Sequence, residues 1–300
     1  MPRHRGHRLL QLTHTATGSP GVGYTNSVPA PPVPAAPPTD IVVSLVGVSV
    51  RLGGTLALAD IDLTIRSGEH WVVLGPNGGG KSTLLSIMSM YQHPTGGTAT
   101  ILGRTMGRTD VREHRHRIGL AGSSLEKRFR ESLTSMELVV TARYGALEPW
   151  WNDYDDSDMA RARWCLERMG VGHLAPRSFG TLSSGERKKV QLARTLMTEP
   201  ELILLDEPGA GLDLAGREGL ISDLTDLTTD PATPPMVLVT HHVEEIPPGF
   251  THGLLLSGGR IVAVGAVEEV LTAPNLSLCF GLELEVEHHR GRWAARTPHR

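Results

Sequence analysis

The nine residues Gly75-Pro-Asn-Gly-Gly-Gly-Lys-Ser-Thr83 fit the spacing G-x-x-x-x-G-K-[ST]. Glycines there let successive backbone N–H groups converge on phosphate oxygens, and the N-terminus of the helix that follows adds its dipole. The pattern places Gly75, Pro76, Asn77, Gly78, Gly79, Gly80, Lys81, Ser82 and Thr83 around a phosphate chain. The Lys81 ammonium would reach its β/γ end, and the Ser82 hydroxyl would ligate Mg2+. Chance supplies roughly 0.01 such matches in a chain of this length and composition. One of only four lysines occupies the Lys position. The competing reading, a flexible Gly-rich turn, is opposed by the apolar run before it and the helical pattern after it.

Three further stretches carry polar groups at the ends of apolar runs. Leu202-Ile-Leu-Leu-Asp-Glu-Pro208 reads as a strand ending in two carboxylates. Side chains alternate along a strand, so Asp206 and Glu207 leave on different sides. That suits a division of labour in which Asp206 holds Mg2+, directly or through water, and Glu207 polarises the attacking water. Alone, such a pair would read as a loop start or helix cap; beside a phosphate loop the metal-and-base reading takes over. Thr181-Leu-Ser-Ser-Gly-Glu-Arg-Lys-Lys189 opens a basic helix. It is either a well-capped helix start, with Ser183 or Ser184 as cap and Glu186 in the first turn, or a second anion-binding helix end. Val237-Leu-Val-Thr-His-His242 ends a third strand in imidazole, which is either a surface histidine or a group serving the hydration shell of a γ-phosphate.

These groups meet only on a parallel α/β frame. His70 to Leu74, Leu202 to Leu205 and Met236 to Val239 are short apolar runs of the kind buried in a parallel sheet. Ile41 to Val50 and Leu56 to Ile65 flank Gly53-Gly54 and read as antiparallel strands. Gly253 to Leu256 and Ile261 to Val264 flank Ser257-Gly-Gly259, a hairpin signal. Residues 125–200 read as mostly helical, broken from Pro176 to Gly185, and Arg117-Ile-Gly-Leu-Ala-Gly-Ser123 reads as a loop. Trp150-Trp151 followed by Asp153-Tyr-Asp-Asp-Ser-Asp158 is either core leading into a charged helix start or a docking patch. No internal repeat appears, so a two-site assembly would need two chains.

Composition narrows the function class. The chain has 300 residues, and 29 Lys+Arg against 32 Asp+Glu give a net charge of −3, which argues against a basic nucleic-acid grip. Two distant cysteines, Cys165 and Cys279, make neither a disulfide framework nor a zinc site and fit a reducing compartment. No apolar run approaches the ~18–20 residues of a membrane helix. Eight of the 21 prolines fall in residues 1–38, so 1–39 reads as disordered or extended, with a basic solvated start. Residues 282–300 alternate apolar and charged residues around Arg290-Gly-Arg292, which reads as an extra hairpin at a solvated end.

In their order, phosphate loop, Ser-rich helix opening, Asp-Glu strand and Thr-His strand, these stretches resemble the ATP-binding-cassette (ABC) ATPases over residues 41–280. The family's signature loop, usually Leu-Ser-Gly-Gly-Gln, is matched by Leu182-Ser-Ser-Gly-Glu186. The resemblance implies a phosphate-loop fold with a mixed sheet core, an antiparallel β subdomain and a helical subdomain over 124–185, within a cassette over 40–281. It implies that Ser183 and Gly185 contact the γ-phosphate of ATP held by a partner subunit, that Asp213 lies at the dimer seam, and that His241 is the switch histidine. ATP and Mg2+ are the implied cofactors.

Three departures qualify that resemblance. The family usually places an aromatic ring near Leu52 to stack on adenine, whereas Tyr24 is the only aromatic before Trp71. Ser123 stands where a Gln usually serves a metal-bound water and the link to the membrane partner. Ser184 and Glu186 replace the second signature Gly and the Gln. The phosphate loop, Asp206, Glu207 and His241 remain, so the expected activity is ATP hydrolysis. The expected setting is a dimer of cassettes, two copies of this chain or one with a second cassette subunit, peripheral on the cytoplasmic face of the membrane. The expected partner is an integral membrane permease, with importers favoured by the absence of fused membrane helices. The alternative is a soluble cassette driving a cytosolic partner; a non-hydrolysing regulator is opposed by the intact acidic pair and His241.

Overall fold

In a computed structural model, the chain is described over residues 40–108, 110–111, 114–149 and 153–298, with the backbone alone described for Ser123 and Ser124. The proline-rich segment 1–39 and the pair Trp150-Trp151 lie outside the described residues. Every element below belongs to the unit Ala36–Arg300.

The first two apolar runs form long strands, β1 (Ile41–Leu52) and β2 (Thr55–Arg66), paired antiparallel around the Gly53-Gly54 turn. β3 (Trp71–Leu74) leads through the phosphate loop into α1 (Lys81–Met88). β4 (Gly96–Ile101) and β5 (Arg104–Thr105) then extend the first sheet to the order β2-β1-β4-β5. β6 (Ile118–Gly122) and the short α2 (Ser123–Glu126) precede a helical region of α3 (Ser135–Val140), α4 (Asp156–Arg168) and α5 (Ser184–Leu196). β7 (Leu202–Asp206), α6 (Leu214–Thr228), β8 (Met236–Thr240), β9 (His252–Ser257) and β10 (Arg260–Ala266) follow. The chain finishes with α7 (Val267–Val270), α8 (Ala273–Phe280) and the hairpin β11 (Glu285–His289) and β12 (Arg292–Arg296).

The second sheet has the order β10-β9-β3-β8-β7-β6, parallel throughout except for the β9–β10 edge. Both its faces are covered, which is why its strands read as unbroken apolar runs rather than alternating ones. Trp71 and Val73 enter a core with β1, β2 and α1, while Val72 and Leu74 enter a second core with the helical region. Each fully buried aliphatic side chain there contributes about 1.5–3 kcal/mol relative to exposure. Cys165 and Cys279 are free and buried, and burial pushes both thiols up to about 11.

Arg117 to Ser123, read as a loop, is mostly strand: β6 pairs in register with β7, from Ile118 opposite Leu202 to Gly122 opposite Asp206. Its glycines dilute the β signal, yet they are needed for packing. A Cβ on Gly122 would lie 2.8 Å from the Asp206 Cβ. The acidic run after Trp151 is a helix start, with the Asp155 side chain capping α4 through the Asp158 N–H.

Candidate functional site

Sheet register assembles the site. Leu74, the last residue before the phosphate loop, lies opposite Thr240, and Val239 lies opposite Asp206. β3, β8 and β7 therefore end side by side, and the loops leaving them deliver Gly75–Thr83, Asp206 with Glu207, and His241 to one edge. That is where parallel α/β sheets bind ligands.

The phosphate loop closes on itself through Lys81. This side chain is 5% exposed, and its Nζ donates to the Gly75 carbonyl at 2.8 Å and the Pro76 carbonyl at 3.1 Å. Burial lowers the pKa of its ammonium, and the Glu207 and Asp206 carboxylates oppose that shift. Gly80 takes φ +105, and a Cβ there would come within 2.8 Å of the Ala57 carbonyl, so glycine is required for α1 to start at this point. α1 has no side-chain cap and no acidic residue in its first turn. Its N-terminal N–H groups and dipole are left for an anion.

A cleft of about 420 Å³ opens over this loop. Asn77 to Thr83 line one wall, Leu52, Leu56 and Ala57 of the first hairpin line the other, and Glu207 faces in. The Gly258-Gly259 turn closes its end, fastened by the Gly259 N–H to the Gly79 carbonyl at 3.0 Å. In the sequence this turn reads only as a hairpin; its two consecutive glycines are the one local signal that it also shapes the cleft.

Asp206 and Glu207 do part company. Glu207 leaves the strand with φ +47, donates its N–H to the Val239 carbonyl at 2.9 Å, and places Oε1 3.1 Å from His241 Nδ1. Asp206 instead lines a smaller pocket of about 180 Å³ together with Ser82, which also lines the larger cleft. Burial, and then the Glu207 charge, raise the Asp206 carboxyl above the usual carboxylate range, against the pull of Lys81. A hydroxyl and a carboxylate at the border of a phosphate cleft match the one or two protein oxygens that Mg2+ takes when phosphates and waters supply the rest.

Ser183, Gly185 and Asp213 do not line the cleft. Ser183 caps α5, with Oγ accepting from the Glu186 N–H at 3.3 Å and the Glu186 carboxylate accepting from the Ser183 N–H at 2.8 Å. Asp213 caps α6 by accepting from the Gly216 N–H at 2.7 Å. The two helix starts adjoin, since a Cβ on Gly185 would stand 3.7 Å from the Gly216 Cα.

A phosphate loop at the carboxyl edge of a parallel sheet, facing an Asp-Glu pair from a neighbouring strand, defines a phosphate-loop nucleoside triphosphatase. Residues 58–210 match the ABC transporter family. The chain is 36% identical over 230 residues to a putative ABC transporter ATP-binding protein of Streptococcus mutans, covering 77% of this chain and 88% of that relative. It is 33% identical over 284 residues to the hemin import ATP-binding protein HmuV of Streptomyces coelicolor, covering 93% and 99%. Its fold is similar to that of cbiO1 from Clostridium perfringens, part of the transporter complex cbiONQ, with TM-score 0.69 at 24% identity over 79% of this chain and 93% of that one. The chain belongs to the ABC transporter family, as an ATP-binding cassette with ATPase activity.

Proposed function

We infer that this cassette powers an importer by hydrolysing ATP at the edge where β3, β7 and β8 end. The observation that carries the residue roles is the 3.1 Å pair of Glu207 and His241, with Glu207 lining the same cleft as Lys81 and the uncapped start of α1. The backbone of Gly75 to Thr83 and the Lys81 ammonium bind the β- and γ-phosphates. Ser82 and Asp206 would hold Mg2+, which neutralises charge developing on those phosphates. Glu207 accepts the proton of the attacking water, and His241 orients Glu207 and the γ-phosphate. Ser183 and Gly185, with Asp213 beside them, serve the ATP of a second cassette, in a head-to-tail dimer.

In this reading residues 40–281 form the cassette, 124–185 its helical subdomain, and 1–39 and 282–300 are additions to it. No helix among the described residues is long and apolar enough to cross a membrane. The relatives named for import support assigning the cargo pathway to a membrane permease, with the cassette on its cytoplasmic face. A groove of about 510 Å³ supports a docking place for that partner. Tyr91 and Tyr144 stand exposed along it, Arg115, Arg128, Arg143 and Arg194 line it, and none of its lining residues is acidic. The import direction draws on the hemin-import role of the Streptomyces coelicolor relative.

Affinity capture of the Glu207→Gln variant from its native cells in ATP tests this reading. Stoichiometric recovery of an integral membrane protein is expected. Recovery of a soluble partner alone would contradict it.

A further inference from the structure

The C-terminal hairpin is largely exposed, yet its second strand is fastened to the cassette. Arg292, the first residue of β12, forks onto Glu218 of α6, with Nη1 donating to Oε2 at 2.7 Å and Nη2 to Oε1 at 3.0 Å. The same Nη2 donates to the Glu244 carbonyl at 3.0 Å, and the Ala295 N–H donates to Glu244 Oε1 at 3.4 Å. Trp293 beside it is 9% exposed and packs in the core of the helical region, with His288 stacked on it at 4.1 Å.

Glu244 belongs to the 3₁₀ turn Val243–Glu245, directly after His241 and His242. So short a turn has few internal hydrogen bonds to set its position. On its inner side the Thr240 hydroxyl donates to the buried Glu245 carboxylate, and Val243 and Ile246 pack in the core. On its outer side Glu244 meets Arg292 and Ala295 of the hairpin. Glu218, in turn, lies on the helix that begins where the loop leaving Glu207 ends. One guanidinium therefore bridges the segment that follows His241 and the segment that follows Glu207.

We propose that Arg292 is a positioning residue for ATP hydrolysis: it fixes the His241 turn against α6 and so holds the His241–Glu207 pair in register. The proposal rests on the reading of Glu207 and His241 given above. A planar fork can satisfy a carboxylate with two N–H groups and still reach a carbonyl, which an ammonium on a flexible stem does not reproduce. With its side chain one-third exposed, the ion pair by itself contributes little to stability. Its consequence falls on turnover.

A double-mutant cycle on the full chain tests this, with kcat, KM for ATP and melting temperature measured for Arg292→Ala, His241→Ala and the double variant. Misplacing a reacting pair costs roughly 10- to 100-fold, and a loss of that order is expected in kcat for Arg292→Ala. KM should stay within about twofold, because the phosphate loop is untouched. In the His241→Ala background, Arg292→Ala should add no further loss. Arg292→Lys should recover part of the activity. Glu218→Gln, which weakens the fork and spares the hairpin, should lower kcat in the same direction, and it decides the matter if Arg292→Ala fails to fold. If His241→Ala leaves kcat unchanged, the reading of the pair is wrong and the proposal falls with it. If His241→Ala lowers kcat while Arg292→Ala or Glu218→Gln does not, or the losses multiply, the proposal alone is overturned.

Discussion

Glu207 Oε1 and His241 Nδ1 stand 3.1 Å apart although 34 residues separate them. They meet because β7 and β8 are parallel neighbours whose register sets Asp206 opposite Val239, leaving each of the two residues just beyond its strand. The phosphate loop leaves β3 on the other side of β8, and Glu207 lines the cleft over that loop while both members of the pair stay about one-third exposed. The consequences of this arrangement can be measured one residue at a time.

Lys81 is buried and bound to two loop carbonyls. Lys81→Ala should abolish detectable ATP binding in a calorimetric titration. It also leaves the buried Gly75 carbonyl without that donor, at a cost of about 1–3 kcal/mol, whereas the Pro76 carbonyl keeps the Gly79 N–H at 3.0 Å. A lower melting temperature for the nucleotide-free variant is expected alongside the lost binding. Retained micromolar affinity would contradict the role assigned to Lys81.

Asp206 carries a pH signature. Its carboxyl is raised above the unfolded value, first by burial and then by Glu207. A raised acid is protonated in the native state while still ionised in the unfolded chain, so its ionisation costs stability as pH rises through the folded pKa. Asp206→Asn should therefore raise the melting temperature of the nucleotide-free protein at neutral pH. The gain should shrink as pH falls toward the ordinary carboxylate value, while Mg2+-dependent hydrolysis is lost at every pH. A variant less stable than the parent at pH 7 would contradict this account.

Leu52 and Leu56, both partly exposed on the first hairpin, form the rim of the cleft opposite the phosphate loop. An apolar rim rejects alternative bases weakly, by about 10- to 200-fold at most, where a hydrogen-bonding site reaches far more. KM values for ATP and GTP should differ by less than that limit, and Leu52→Tyr should lower both by supplying a stacking face. Hydrolysis of ATP with none of GTP at saturating concentration would show that another element reads the base.

The parts of the site on short apolar runs were legible in the sequence, because a strand buried on both faces has no room for polar residues until it ends. Leu202 to Leu205 and Met236 to Val239 thus marked both the strands and the places where Asp206, Glu207 and His241 emerge. β6 was not legible: Gly119 and Gly122, which let it pack against Thr195 and Asp206, remove the residues that signal a strand. The Leu52–Leu56 rim and the Gly258-Gly259 turn at the end of the cleft depend on contacts between distant hairpins, which periodicity does not encode. Arg292 is a similar case, since nothing local distinguishes it from Arg290 until Glu218 and Glu244 come within reach.

The most direct test of the account is Mg2+-dependent phosphate release by the parent chain and by Glu207→Gln, with ATP affinity measured on the same samples. Loss of a positioned base costs roughly 10²- to 10⁴-fold. Glu207→Gln should bind ATP as the parent does and release phosphate slower by that order. Parent-like turnover in Glu207→Gln would contradict the assignment of the base and, with it, the role given to the Glu207–His241 pair.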